Sequence, residues 1–300
     1  MRIGYPCVNL SIGCKGDRSF RLKSYSTKRL IETINNNLKC LQKLLEFNTK
    51  EHILFFRITS DLVPFASHPI CKFNWQNHFK NDFEEIGRYI KKRKIRISMH
   101  PDQFVFINSL NQEIFRRSLK ELLYHSDILD LLGLDTSAKI QIHVGGVYGD
   151  KHKSINRFVS RLQKLEENLK GHLVIENDIR YNLKDCIQIH KITDTPVLFD
   201  SLHHELNNYG EKLSEAFELF TRTWKKKDSL PMVDYSSQQK LQNNGKHAKT
   251  LNLEHFKNFL QLSLPFDYDL MLEIKDKERS AIKAIEIARQ IKLKNLFLGL

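Results

Sequence analysis

KIRISMHPDQF (94–104) opens as a short β-branched apolar run and ends on a polar residue, His100. Seven other runs share that form: RIGYPCVNL (2–10), HILFFRI (52–58), KIQIHVG (139–145), HLVIEN (172–177), TPVLFD (195–200), LPMVDYS (230–236) and DYDLMLEI (267–274). Longer stretches between them carry helical periodicity. Thr27–Phe47 sets Leu30, Ile34, Leu38, Leu41 and Leu45 on one face. Gln112–Leu132 and Ser154–Leu169 behave likewise, and Glu278–Lys292 supplies a last helix. Eight strands alternating with helices predict a single α/β domain over residues 1–300, a closed (β/α)8 TIM barrel, for which roughly 250 residues is usual. An open doubly wound sheet fits less well, because the loop SIGCKGDRSF (11–20) lacks GxGxxG and no GxxxxGK[ST] occurs.

The runs stay apolar until their last residues, which are Asn9, Arg57, His100, His143, Glu176, Asp200, Asp234 and Glu273. In such a barrel the strand C-termini converge on one face, where active sites sit. One polar strand end is simple termination. Two imidazoles and several carboxylates aimed at one space are a site, since carboxylates packed together repel or take up protons unless cations separate them. The set exceeds the needs of one tetrahedral zinc and predicts two or three ions, bridged by carboxylates such as Glu176 and Glu273. Mixed nitrogen and oxygen ligands favour Mn²⁺ or Zn²⁺ over Mg²⁺, with Co²⁺ also compatible. Loop residues extend the set. Asp200-x-x-His203 is a compact ligand pair beyond a strand, with His204 beside it expected to face solvent. His247 lies in the basic loop NNGKHAK (243–249) with Lys246, a segment that is either DNA-contacting or a plain loop. His68 sits in PFASHP (64–69).

Composition narrows the chemistry. Lys and Arg number 48 against 35 Asp and Glu, a net charge of +13, which suits a polyanionic partner. Phosphoester hydrolysis therefore fits a metal cluster in a basic mouth, with Arg and Lys holding flanking phosphates. No 18-residue apolar run or signal peptide is visible, so neither a membrane partner nor export is expected and a cytoplasmic location is. The odd set Cys7, Cys14, Cys40, Cys71 and Cys186, without CxxC, reads as free thiols of a reducing compartment. Nothing in the chain suggests an oligomer, and a monomer is expected.

RITSDLVPFASHP (57–69), HPDQF (100–104), IHVGG (142–146), IEND (175–178) and DSLHHE (200–205), in that order at strand ends, resemble the UV damage endonucleases, as do GYPCVN (4–9) and YSSQ (235–238). The resemblance covers about residues 1–275. It implies an enzyme that nicks damaged double-stranded DNA on the 5′ side of cyclobutane pyrimidine dimers or 6-4 photoproducts, with the damaged bases flipped out and a cluster of divalent ions, Mn²⁺ foremost. The implied ligands are His100, His143, Glu176, Asp200, His203, His247 and Glu273, with His68 nearby. His100, His143, Glu176 and Glu273 carry the catalytic role. Gln103 and Phe104 match a wedge that fills the space left by flipped bases. Tyr5 and Asn9 match residues near the flipped lesion, and Arg57 and Lys246 are expected at the DNA. This chain departs from the family at Phe104, where Tyr is usual, and at Met232 and Asp234, where the family commonly has Lys-x-His with a carboxylated lysine. Methionine cannot be carboxylated, which leaves Asp234 to supply the carboxylate of a third site. An apurinic-site endonuclease or a sugar isomerase of the same metal-barrel superfamily is the alternative enzyme. The isomerase fits the charge and the wedge poorly. A barrel that binds DNA with impaired catalysis is the second alternative, and the retained carboxylates argue against it.

Overall fold

The structure, a computed structural model, describes residues 1–102 and 104–298. Eight parallel strands form a closed barrel in sequence order: β1 (Ile3–Pro6), β2 (Phe55–Ile58), β3 (Arg96–Met99), β4 (Lys139–His143), β5 (Leu173–Glu176), β6 (Val197–Asp200), β7 (Met232–Tyr235) and β8 (Asp269–Leu272). The ring closes where Ile3 and Gly4 of β1 pair with Leu270 and Met271 of β8. Every run read as a strand contains one of these. The helices between them are α1 (Thr27–Lys50), α2 (Trp75–His78), α3 (Lys80–Arg93), α4 (Gln112–Leu131), α5 (Lys151–Leu162), α6 (Glu167–His172), α7 (Leu183–Thr193), α8 (Ser201–Leu206), α9 (Leu213–Thr221), α10 (Leu253–Leu262) and α11 (Glu278–Leu298). The helix expected over Ser154–Leu169 is in fact two, α5 and α6, because Glu166 adopts an extended conformation between them. Side-chain caps fix several starts: Ser26 accepts from Arg29 N, Asn111 from Glu113 N and Asp150 from Lys153 N.

Alternation sorts each strand into an outward and an inward set. Outward residues such as Ile58, Ile97, Ile140, Ile142, Ile175 and Phe199 join Leu30, Leu45, Phe83, Leu129 and Phe158 of the helices in the main core. Inward residues form three levels. At the N-terminal end, Arg96 pairs with Asp269 (2.8 Å) and Lys139 with Asp228 (2.6 Å), all of them buried. Above them Phe55, Val174, Leu198, Met232 and Met271 make a small apolar cluster of their own. Only above that plug do charged side chains reappear inside the ring. Gly4 faces this interior, where a Cβ would lie 1.9 Å from the Phe55 carbonyl oxygen, so β1 and β2 can approach only with glycine there.

The cysteines correct the reading of five free thiols. Cys14 and Cys40 are joined in a disulfide, their Cα atoms 5.9 Å apart, because the loop after β1 folds back onto α1. Cys7, Cys71 and Cys186 are free.

Candidate active site

β4, β5 and β6 deliver His143, Glu176 and Asp200 at their last residues, while His100 and Glu273 directly follow β3 and β8. Glu176 is the centre. His100 Nε2 and His143 Nε2 lie 3.4 and 3.7 Å from its Oε2, and His203 Nδ1 lies 3.5 Å from its Oε1. These separations exceed ordinary hydrogen bonds. The 3.4 and 3.5 Å separations match two ligands of one ion, since donors about 2.1 Å from a metal lie roughly 3.0–3.5 Å apart, and the 3.7 Å separation is slightly wider. Three groups of three donors are compact enough to hold an ion: His100, His143 and Glu176; Glu176, Asp200 and His203; and Asp200, Asp234 and Glu273. The first two share Glu176 and the last two share Asp200, so the groups form a chain. The second shared carboxylate is thus Asp200, where the sequence suggested Glu273.

Beneath this chain of donors sits Arg57. The expectation that it contacts DNA is corrected, because its guanidinium is buried and fully directed inward. Nη2 donates to Asp234 Oδ2 and Gln141 Oε1, both at 2.6 Å, and Nη1 donates to Glu273. Gln141 completes the floor, its Nε2 donating to Glu176 Oε2 and Asp234 Oδ2 at 2.8 Å each. Burial raises carboxyl pKa values and the neighbouring cations lower them. Burial pushes Asp234 well above the ordinary carboxylate range and Asp200 up to about 6. For Glu273, burial is the largest influence and raises the carboxyl, but Arg57 together with His247 and His100 holds it at about 2. For Glu176, three imidazoles overcome burial and hold it well below its usual range. Burial alone would lower His203, but Asp200 and Glu176 raise it to about 10, while burial keeps His100 below its ordinary value. Arg57 and a protonated His203 cannot balance Glu176, Asp200, Asp234 and Glu273 when all four are ionised. Asp200 Oδ2, Asp234 Oδ1 and His100 Nδ1 are buried without a hydrogen-bond partner, an arrangement that costs free energy unless a cation or proton joins them. The donors therefore fit divalent cations.

The IEND segment explains how the donors are held. Asn177 Nδ2 donates to the Asp200 carbonyl (3.0 Å), and its Oδ1 accepts from Asp200 N (2.9 Å), extending the β5–β6 pairing with a side chain. The Asn177 carbonyl oxygen lies 3.1 Å from His203 Nδ1. Asp178 Oδ2 stands 3.4 Å from His143 Nδ1, which has no hydrogen-bond partner, so the carboxylate lies behind the imidazole without bonding to it. Asp200 Oδ1 accepts from His203 N (2.6 Å), capping α8 and placing His203. Behind His100, its carbonyl accepts from Ser60 Oγ (2.7 Å), which is itself 3.2 Å from His125 Nε2. Sequence reading missed Gln141, Asn177 and Asp178. Gln141 was recoverable from alternation, lying two residues before His143 on the same face.

Residues 1–296 match the UV-endonuclease UvdE family. The chain belongs to that family. The UV DNA damage endonuclease of Clostridium perfringens (strain 13 / Type A) is 39% identical over 296 residues, which cover 97% of this chain and 71% of that protein. The crystal structure of SacUVDE superposes with a TM-score of 0.93 at 45% identity, covering 97% of this chain and 99% of that one. Endonuclease IV from Thermus thermophilus superposes with a TM-score of 0.59 at 14% identity over 83% of this chain and 93% of that one, a likeness of fold alone. Membership of the UV-endonuclease family sets aside the isomerase reading.

The remaining expected site residues divide. His247 reaches the mouth, with Nδ1 2.8 Å from the Glu273 carbonyl oxygen and 3.4 Å from Glu273 Oε2. Phe104 projects from the loop after β3, 72% exposed, while Gln103 lies outside the described residues. His68 is exposed on the loop after β2, outside the donor groups, its Nδ1 accepting from Ile70 N. Lys246 is exposed. Tyr5 is not in the mouth: it faces outward from β1, fully buried, and donates to Asn48 Oδ1 (2.7 Å). Asn9 is spent on structure, donating to the Tyr5 hydroxyl (2.8 Å) and accepting from Ser11 N (2.8 Å) and Ile12 N (3.1 Å). His204, expected in solvent, is buried against Phe199 with ring centroids 4.9 Å apart. Met232 lies in the apolar plug, one inward step below Asp234. Among the described residues, no helix is long and apolar enough to cross a membrane.

Proposed function

We propose that this chain nicks damaged double-stranded DNA on the 5′ side of UV photoproducts, cyclobutane dimers and 6-4 photoproducts included, by metal-assisted phosphodiester hydrolysis. The observation that carries the reading is the chain of three donor groups linked through Glu176 and Asp200 at the mouth of a UvdE-family barrel. Two or three divalent ions, Mn²⁺ foremost, would be held by His100, His143, Glu176, Asp200, His203, Asp234, His247 and Glu273. Such ions supply activation of water and neutralisation of charge on the scissile phosphate. Asp234 keeps the third position usable without a lysine on β7, because its unpartnered Oδ1 and that of Asp200 (Oδ2) supply two oxygens beside Glu273. The protein residues do the rest. Gln141 and Arg57 hold the carboxylates at fixed angles, Asn177 braces Asp200, Asp178 stands behind His143, and exposed lysines such as Lys246 meet the phosphate backbone. The chain acts inside the cell and as a monomer.

The test is a labelled duplex with one photoproduct. A cut on the 5′ side is expected with Mn²⁺ and none with EDTA. A duplex left intact with Mn²⁺, Mg²⁺, Zn²⁺ and Co²⁺ in turn would overturn the reading. Metal analysis of the reconstituted protein should find two or three ions per chain, and one fewer in Asp234→Asn.

Phe104 is a strongly exposed aromatic of the loop after β3. Base–aromatic stacking is worth about 1–3 kcal/mol, so Phe104→Ala should lower the ratio of damaged to intact duplex binding by about tenfold. An unchanged ratio in a competition assay would remove Phe104 from damage recognition.

A further inference from the structure

β3 and β7 stand opposite each other in the ring of eight. The loop after β3 carries Phe104. The loop after β7 carries a second projection. Residues 238–247 fold back on themselves as a small hairpin, closed by an antiparallel bridge between Gln238 and His247 and by Gln239 N donating to the Lys246 carbonyl (2.7 Å). The Gln238 side chain stiffens it from within. Its Nε2 donates to the carbonyls of Gln239 (3.1 Å) and Asn243 (3.0 Å), and its Oε1 accepts from Gly245 N (2.8 Å). The base is fixed to the barrel, since Ala248 N donates to the Ser237 carbonyl and Lys275 N to the Ala248 carbonyl, both at 3.1 Å. At the tip Leu241 is 101% exposed and holds a left-handed backbone, φ 59°. A leucine gains nothing from water, and a branched side chain resists that conformation. Lys240 and Lys246 flank it, and residues 238–250 contain no Asp or Glu.

We propose that this hairpin is a second probe of the duplex, which drives Leu241 between bases from the rim opposite Phe104 while Lys240 and Lys246 grip the adjoining phosphates. Apolar wedges flanked by basic residues are the usual means of unstacking a base step, and the opening is cheapest where pairing is already damaged. The finger is also wired to the chemistry: its last residue, His247, contacts Glu273. This inference rests on the reading of the chain as a nuclease of damaged duplex DNA.

The experiment compares single-turnover cleavage of one photoproduct in a fully paired duplex and in a pre-melted bubble, with Mn²⁺. Leu241→Ala and Leu241→Gln are expected to lower kcat/KM about tenfold on the duplex and less than twofold on the bubble, with Leu241→Phe retaining most of the duplex activity. Lys240→Gln and Lys246→Gln should each reduce the slope of log affinity against log salt by about 1. A wild type that cuts neither substrate overturns the functional reading itself. A wild type that cuts both overturns the probe alone if the Leu241 variants cut the duplex equally well, or if they lose equally on both substrates.

Discussion

Glu176→Gln is expected to lower the cleavage rate by at least about 10³-fold while changing affinity for the damaged duplex less than about threefold. Glu176 is the carboxylate common to two donor groups, so neutralising it weakens two ion positions at once. An ion well placed on a reacting phosphate supplies several kcal/mol of transition-state stabilisation, and each 1.36 kcal/mol is a factor of ten in rate. The amide preserves the shape of the site, and the expected DNA-facing groups, Phe104 and Lys246, lie elsewhere on the rim. Cleavage, binding, metal content and thermal stability measured together separate the outcomes. Loss of cleavage with loss of bound metal and retained binding is the expected pattern. Equal loss of binding and cleavage with a lower Tm would assign Glu176 to folding.

The second large effect concerns stability. Arg57→Met should destabilise the protein by about 3–5 kcal/mol, because it strands the buried Asp234 and the partly buried Glu273 without their cation. At this chain length that is a fall in Tm on the order of 10 °C. Excess Mn²⁺ should restore part of the loss, since a ligand that binds only the folded state stabilises it by about 2.7 kcal/mol at 100 times its Kd. Differential scanning calorimetry with EDTA and with Mn²⁺ reads both. An unchanged Tm in EDTA would show that Arg57 does not balance these carboxylates. A fall that Mn²⁺ leaves untouched would mean that the floor of the site, once disturbed, no longer gathers its donors.

The barrel was legible because each strand reads as apolar up to a polar end, and the donors at those ends follow from the same feature. What escaped reading depended on partners far away in sequence. Arg57 looks like any strand-end cation until the fold sets it against Asp234, 177 residues on. Gln141 hides in an apolar run because an amide carries no charge to draw notice. Tyr5 was misplaced because motif likeness does not report phase: Gly4 is the inward residue of β1, so Tyr5 faces α1. The Cys14–Cys40 bond escaped because an odd number of cysteines without a motif does not identify a pair. His203 and His204 are neighbours with opposite surroundings, one at the donors and the other against Phe199, as adjacent positions on a helix must be.

Ring closure through β1 and β8 also bears on when during synthesis the site comes into being. The donors come from six different strands or the loops that follow them, and Glu273 stands directly after the strand that completes the ring. Chains emerge N-terminus first, so a ribosome-bound intermediate holds His100, His143 and Glu176 long before Arg57 can meet Glu273. A chain that has not yet made β8 therefore lacks the assembled site. An enzyme whose chemistry is the breaking of DNA thus gains its cutting centre only once β8 has closed the ring, by topology and without an inhibitor.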